Sequence, residues 1–180
     1  MKIVAFAGSI SSDSINKKLV EWASSQFDGA EVEVLDLNDY EMPIFSSDRE
    51  KEIGVHPLAE RFAEKIDGAD LLLISLAEYN SSYTAAFKNT FDWVSRIKDR
   101  KHFGEKPVFL LSTALGPGGG KNVSEMFMKR APFSGANVLT NFVLPKFKES
   151  FEVGKGIIDE EKKAEFAKKL QTVKDYFSAK

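Results

Sequence analysis

The run ADLLLISLA, residues 69–77, constrains the fold more than any other stretch of the chain. Apolar side chains occupy both odd and even positions from Leu71 to Leu76. Successive side chains of a strand point to opposite faces, so such a run is buried only in the middle of a sheet covered on both sides. KIVAFA (2–7), KPVFLLSTA (106–114) and ANVLTNFVL (136–144) have the same character. EVEVLDL (31–37) alternates instead, with Val32, Val34 and Asp36 on one face and Glu31, Glu33 and Leu35 on the other, and is also predicted to be a strand.

The stretches between these runs carry helical spacing. Ile15, Leu19, Ala23 and Phe27 recur every fourth residue across 14–27. Pro57 suits a first turn and opens a predicted helix that runs to Asp67. Helices are also predicted over 84–98, over 122–133 and from Asp159 onward, the last with acids in its first turn and Phe166, Leu170, Val173 and Phe177 as its inner stripe. Residues 38–55 show no sustained period and read as a long connection. Strand and helix thus alternate five times, which implies a parallel sheet with helices on both faces. The expectation is an α/β, flavodoxin-like three-layer sandwich with a five-stranded parallel sheet in the order 2-1-3-4-5, formed by one domain over 1–180.

Composition narrows the function. The net charge of −2 gives no basic face for nucleic acid or acidic lipid, and neither a nucleic-acid nor a membrane partner is expected. The absence of cysteine excludes disulfides, thiolate metal sites and thiol nucleophiles. MKIVAFAG lacks the basic and cleavable flanks of a secretory signal, and no run approaches a membrane span, so a cytoplasmic location is expected. The two histidines, His56 and His102, adjoin none of the candidate loops in sequence and are read as surface residues.

In sheets of this kind ligands lie beyond the carboxyl ends of the strands. Three polar loops fall there: 8–16, 77–84 and 112–120. GSISSDSIN (8–16) leads into a helix N-terminus, where free N–H groups and the dipole favour an anion. Ser9, Ser11, Ser14 and Asn16 add neutral donors; simple helix capping is the plainer reading, but one cap needs only one such side chain. Other phosphate and nucleophile motifs fail: no G-x-G-x-x-G follows the first strand, Leu115 and Asn122 break a Walker loop, and no G-x-S-x-G is present. Glu78, Tyr79 and Asn80 offer donors, acceptors and an aromatic surface to a flat polar ring, or else a polar lead-in to a helix. STALGPGGG (112–120) lets backbone approach a ligand closely, or is merely flexible. Phe87, Phe91, Val94, Trp22 and Trp93 are read as packing.

Together these loops resemble the NADPH-dependent FMN reductase family, the flavodoxin-like quinone and chromate reductases. Its first-loop pattern G-S-x-R-x-x-S-x-N is matched by Gly8, Ser9, Ser14 and Asn16. Its second, P-E-Y-N-G-S-x-P-G-x-L-K-N-x-x-D-W, is matched by Glu78, Tyr79, Asn80, Ser82, Lys88, Asn89, Asp92 and Trp93. The resemblance implies non-covalent FMN, with Ser9, Ser11, Ser14, Ile15 and Asn16 around its phosphate and Glu78, Tyr79, Asn80 and Ser81 against its isoalloxazine. Ser112, Thr113, Gly116 and Gly119 would face the ring's other side or edge. It further implies NADPH or NADH as hydride donor, a small-molecule electron acceptor such as a quinone or free flavin, no catalytic acid or base from the protein, no metal, and a homodimer or homotetramer. Ser11 stands where the family has arginine, Ala77 replaces proline, Ser81 replaces glycine and Thr84-Ala85 replaces Pro-Gly, departures that point to weaker FMN binding. A flavodoxin-type one-electron carrier and a non-enzymatic, weakly flavin-binding protein are the competing readings; the carrier's T-x-T-G-N-T loop is absent.

Overall fold

The computed structural model describes residues 1–179. In chain order the elements are β1 (Lys2–Ala7), α1 (Ile15–Ser24), β2 (Glu31–Leu35), a 3₁₀ turn (Leu37–Tyr40), α2 (Ser47–Ile53), α3 (Pro57–Asp67) and β3 (Leu71–Leu76). A small hairpin follows, β4 (Glu78–Tyr79) and β5 (Ser82–Tyr83), then α4 (Ala85–Val94), β6 (Lys106–Thr113), α5 (Lys121–Ser134) and β7 (Ala136–Leu144). The chain continues through α6 (Phe147–Ser150), β8 (Phe151–Glu152), β9 (Gly156–Ile157) and α7 (Glu160–Ser178).

The five main strands form one sheet in the order β2-β1-β3-β6-β7, all parallel neighbours, which is the expected 2-1-3-4-5 arrangement. The period-2 rule divides the sheet between two cores. Val4, Phe6, Leu72, Ile74, Val108 and Leu110 face α3, α4 and α5. Ile3, Ala5, Leu71, Leu73, Phe109 and Leu111 face α1 and α7. Both faces of β1, β3 and β6 are therefore apolar, and the three strands occupy the centre of the sheet.

The structure departs from the sequence reading in β2, in residues 38–55 and at the end of α4. β2 ends at Leu35 and is an edge strand; Leu35 is buried while Val32 and Val34 remain more than a third exposed. Residues 38–55 contain the 3₁₀ turn and α2 rather than a bare loop. Asp36 and Ser46 cap these two elements with their side chains. α4 then latches the intervening segment. Asn89 Nδ2 donates to Met42 O (2.9 Å) and Pro43 O (3.2 Å), and its Oδ1 accepts from Phe45 N (2.8 Å). Trp93 Nε1 donates to Pro43 O at 2.7 Å from a fully buried indole. α4 stops at Val94, short of the predicted 98.

The histidines are not simple surface residues. His56 Nδ1 accepts from Leu58 N and caps α3. His102 is half-buried and stacks on Phe91, with ring centroids 4.2 Å apart and planes 13° from parallel. Its Nδ1 has no hydrogen-bond partner among the described residues. Burial, then the charges of Arg130 and Arg100, hold its pKa below the ordinary value, and Asp92 opposes them only weakly. The unfolded chain thus takes up a proton that the folded chain resists. The stability at stake is fully present above the unfolded pKa, about 6.5, and is lost as pH falls toward the lower folded value. The thermal midpoint is expected to fall between about pH 7.5 and about pH 5.5, and His102→Phe is expected to flatten that slope. An unchanged slope in the variant would exclude His102 as its source.

Candidate functional site

Because β1, β3 and β6 are neighbours, the loops that leave their carboxyl ends meet above the sheet. They enclose a cavity of about 390 Å³, lined by Ser9, Ser11, Asp13, Ser14, Ile15 and Asn16 from the first loop, Ala77, Glu78 and Tyr79 from the second, and Thr113, Ala114 and Leu115 from the third. The volume lies in the range of small-molecule sites.

The first loop is built around the start of α1. Ser14 is its N-cap, and Ser14 Oγ accepts from Lys17 N at 3.2 Å. That bond uses the oxygen and leaves the hydroxyl hydrogen, so capping and anion binding are compatible at this residue. The N–H groups of Ile15 and Asn16 belong to the first turn and have no acceptor within the helix. Ser9 Oγ accepts from Ser11 N at 3.2 Å, and Ser11 Oγ pairs with Tyr79 Oη at 3.1 Å, which links the first loop to the second. The Asn16 side chain lines the cavity but also holds the scaffold. Its Oδ1 accepts from Ser75 Oγ (2.8 Å) and Thr113 N (3.1 Å), and its Nδ2 donates to Thr113 O (3.0 Å).

The second loop is the β4–β5 hairpin, which the sequence reading did not anticipate. Its two-residue turn is Asn80-Ser81, with φ of 51° and 60°. Positive φ at both central residues is the mark of a type I′ turn, which favours Asn followed by Gly. Serine at 81 therefore stands where glycine is the unstrained choice. The Glu78 carboxylate is turned toward α5: Oε1 accepts from Asn122 Nδ2 (3.1 Å) and Oε2 from Val123 N (3.0 Å). The N-cap position of α5 is Gly120, which has no side chain with which to cap it, so Glu78 caps that helix from the neighbouring loop. Thr84 Oγ1 donates to Gly8 O (2.8 Å) and accepts from Phe87 N (3.1 Å), pinning the end of β1 to the start of α4. Tyr79 is 53% exposed, leaving its ring available to a ligand.

The third loop lies differently from the expectation. Thr113 and Leu115 reach the cavity wall, while Ser112, Gly116 and Gly119, like Asn80 and Ser81, do not line it. Ser112 is fully buried beneath Gly120, and its hydroxyl has no hydrogen-bond partner among the described residues. A Cβ on Gly119, at φ +60°, would come within 2.9 Å of Pro145 N and 2.7 Å of Val143 Cγ1. Gly119 is thus required by packing against the end of β7. Sequence reasoning missed Asp13, Ala77, Ala114 and Leu115 as wall residues. For Leu115 there was a signal, an apolar side chain in a glycine-rich loop, here 59% exposed.

No lysine or arginine lines the cavity, and two carboxylates do. Glu78 is compensated at the N-terminus of α5, and Asp13 is ion-paired with Lys18 Nζ. The bond from Lys18, then its charge, and to a smaller degree Lys148, hold the Asp13 carboxyl below its ordinary pKa. Neutral hydroxyls, backbone N–H groups, one exposed aromatic ring and small apolar walls suit a ligand with an anionic end and a flat ring. Among the described residues no cluster of side chains is arranged to hold a metal ion, and no helix is long and apolar enough to cross a membrane.

The family model described as NADPH-dependent FMN reductase matches residues 1–149. A quinone reductase of Escherichia coli (strain K12) is 30% identical over 166 residues, covering 86% of this chain and 87% of that protein. An NADPH:quinone oxidoreductase of Arabidopsis thaliana is 30% identical over 126 residues, covering 68% of this chain but only 62% of that protein, so the match spans less than two thirds of the plant relative. Among solved structures, the flavoenzyme NAD(P)H:(acceptor) oxidoreductase from Paracoccus denitrificans superposes with a TM-score of 0.75 at 20% identity, covering 97% of each chain, and shares the fold.

The turn geometry gives a direct test. Ser81→Gly removes the left-handed strain of a side chain at φ 60° and is expected to raise unfolding stability by about 1 kcal/mol, less what glycine adds to unfolded-state entropy. Urea denaturation measures this. A loss of stability would mean that the Ser81 side chain contributes more than its backbone costs.

Proposed function

Since the chain belongs to the NADPH-dependent FMN reductase family, we propose that it is an FMN-dependent NAD(P)H oxidoreductase that delivers electrons to a quinone, a flavin or a similar small acceptor. The observation that carries this reading is the convergence of three loops from adjacent strands on one cavity, whose wall holds both the start of α1 and the exposed ring of Tyr79. When bound, the flavin supplies hydride acceptance from NAD(P)H and onward electron transfer, and the protein contributes binding, orientation and electrostatics.

In this reading the Ser9, Ser11 and Ser14 hydroxyls and the first-turn N–H groups of α1 hold the phosphate. Tyr79 and the backbone of Glu78–Ser81 contact the isoalloxazine, with Ala114 and Leu115 of the third loop near it. The Ser11–Tyr79 hydrogen bond sets the spacing between the phosphate end and the ring end. Asn16 and Thr113 act from behind by fixing the start of α1 against β3 and β6. Ser112, fully buried, supports the third loop. No side chain is assigned a proton-transfer role. A lining without any cationic side chain and the strained turn at Ser81 favour one alternative, a flavin-binding protein of low affinity without turnover.

The same reading includes a cytoplasmic, FMN-binding single domain that pairs through the α4 face into a homodimer or homotetramer. Ile44, 77% exposed, and Ile53, 50% exposed, give that side of the molecule apolar surface to cover. Sedimentation of the purified protein measures the state of assembly.

Flavin fluorescence titration followed by NAD(P)H addition is the central experiment. Saturable FMN binding with bleaching of flavin absorbance on adding NADPH or NADH supports the enzyme; binding without bleaching supports the alternative. Ser14→Asp keeps a good helix cap but turns a carboxylate toward the phosphate. It is expected to weaken FMN binding by at least about tenfold, or about 1.4 kcal/mol, with little change in stability. Unchanged affinity would remove residue 14 from the phosphate site.

A further inference from the structure

Of the lysines at the start of α1 and around α6, all but one are ion-paired. Lys17 Nζ is bound to Asp36 at 2.6 Å, and Lys146 Nζ to Glu149 at 3.1 Å. Lys18 is paired with Asp13. Lys148 has no carboxylate partner among the described residues. It sits on α6, a helix suspended from the third loop by Lys146 N donating to Gly116 O and Phe147 N donating to Ala114 O, each at 3.0 Å. The only acidic group of the first loop, Asp13, lies in the cavity wall itself, one residue before the cap of α1, with its side chain 87% exposed. The helix terminus attracts an anion here, and the carboxylate beside it opposes one.

Building on the FMN reading, we propose that Asp13, held in the cavity wall by Lys18, is a specificity-determining residue that limits how strongly this chain prefers a phosphorylated flavin over its dephospho form. With Asp13 in place the phosphate end offers neutral donors and a helix dipole, and Lys18 is neutralised before a ligand arrives. The outcome is a flavin that is loosely held and exchangeable, with the ring contributing a large share of the affinity. Asp13→Asn removes the like charge, keeps the side-chain shape and frees the Lys18 ammonium to meet the phosphate. Lys18→Met has the opposite effect, leaving the carboxylate with only the weaker influence of Lys148.

The experiment compares FMN with riboflavin by fluorescence quenching on the parent chain and the two variants, with circular dichroism to confirm folding. Asp13→Asn is expected to tighten FMN on the order of tenfold and leave riboflavin unchanged, an advantage that shrinks as salt is raised. Lys18→Met is expected to weaken FMN alone. If the parent binds both flavins and neither substitution moves the FMN-to-riboflavin ratio, the role of Asp13 is overturned while the FMN reading stands. Equal shifts for both flavins would make Asp13 a loop-shaping residue and likewise overturn the proposal. If no folded variant binds either flavin, the FMN reading and this inference fail together.

Discussion

The site depends on the side-chain amide of Asn16. It is 2% exposed, and it pairs with both the N–H and the C=O of Thr113 as a neighbouring strand would, while accepting a third bond from Ser75. One residue in the first turn of α1 is thereby tied to the carboxyl ends of β3 and β6. Each bond contributes about 1 kcal/mol, but loss of the amide would leave buried backbone groups of Thr113 without partners, which costs more. The position of α1 over the sheet, and so the direction in which its free N–H groups point, follows from this link.

The other two loops are held by comparable cross-ties rather than by ligand-facing contacts. Glu78 reaches from the hairpin to cap α5, Thr84 joins β1 to α4, and Thr113 Oγ1 donates to Leu144 O at 2.7 Å, binding β6 to the end of β7. Several residues whose type suggested contact with a cofactor are thus parts of the frame that sets the cavity's shape. What remains to face a ligand is a small set of hydroxyls, backbone N–H groups and the ring of Tyr79, in a cavity lined by no cationic side chain. Affinity at such a site comes from geometry and the dipole of α1, and a single nearby charge such as Asp13 carries more weight than it would beside an arginine.

The departures from the family's sequence pattern have separable physical consequences. Thr84 replaces proline and gains two hydrogen bonds at a helix start, so it is accommodated fully. Ser81 replaces glycine and retains a left-handed backbone, so its cost remains in the folded state. Ser11 replaces arginine and pairs with Tyr79, exchanging a charge for a link between the first and second loops. Asn89 and Trp93, which match the family pattern, have a structural role: they fix the segment 42–45 against α4.

By itself the sequence determined the strands of the sheet, its covered parallel character and the polar loops at the strand ends, while the order that brings those loops together was an expectation that the strand pairing bears out. Doubly apolar runs can be buried only in the middle of a covered parallel sheet, and the helical periods between them leave few ways to connect the strands. The bounds of α3 and the start of the last helix at Asp159 were legible for the same reason, since helix starts and periodicity are local, whereas which residue of the first loop caps α1 was not. Tertiary structure alone decided which polar residues face the cavity. Ser112 and Gly119 turned out to pack inward, Glu78 toward α5, and Asp13 and Leu115 into the wall. The short helices in 38–55 and the hairpin at 78–83 were equally hidden, because each is too short to show a period, and contacts from α4 to residues 42–45 and from Glu78 to α5 span tens of residues. A polar side chain's type shows what it can bond, but only the packed neighbours decide whether its partner is a ligand or the rest of the chain.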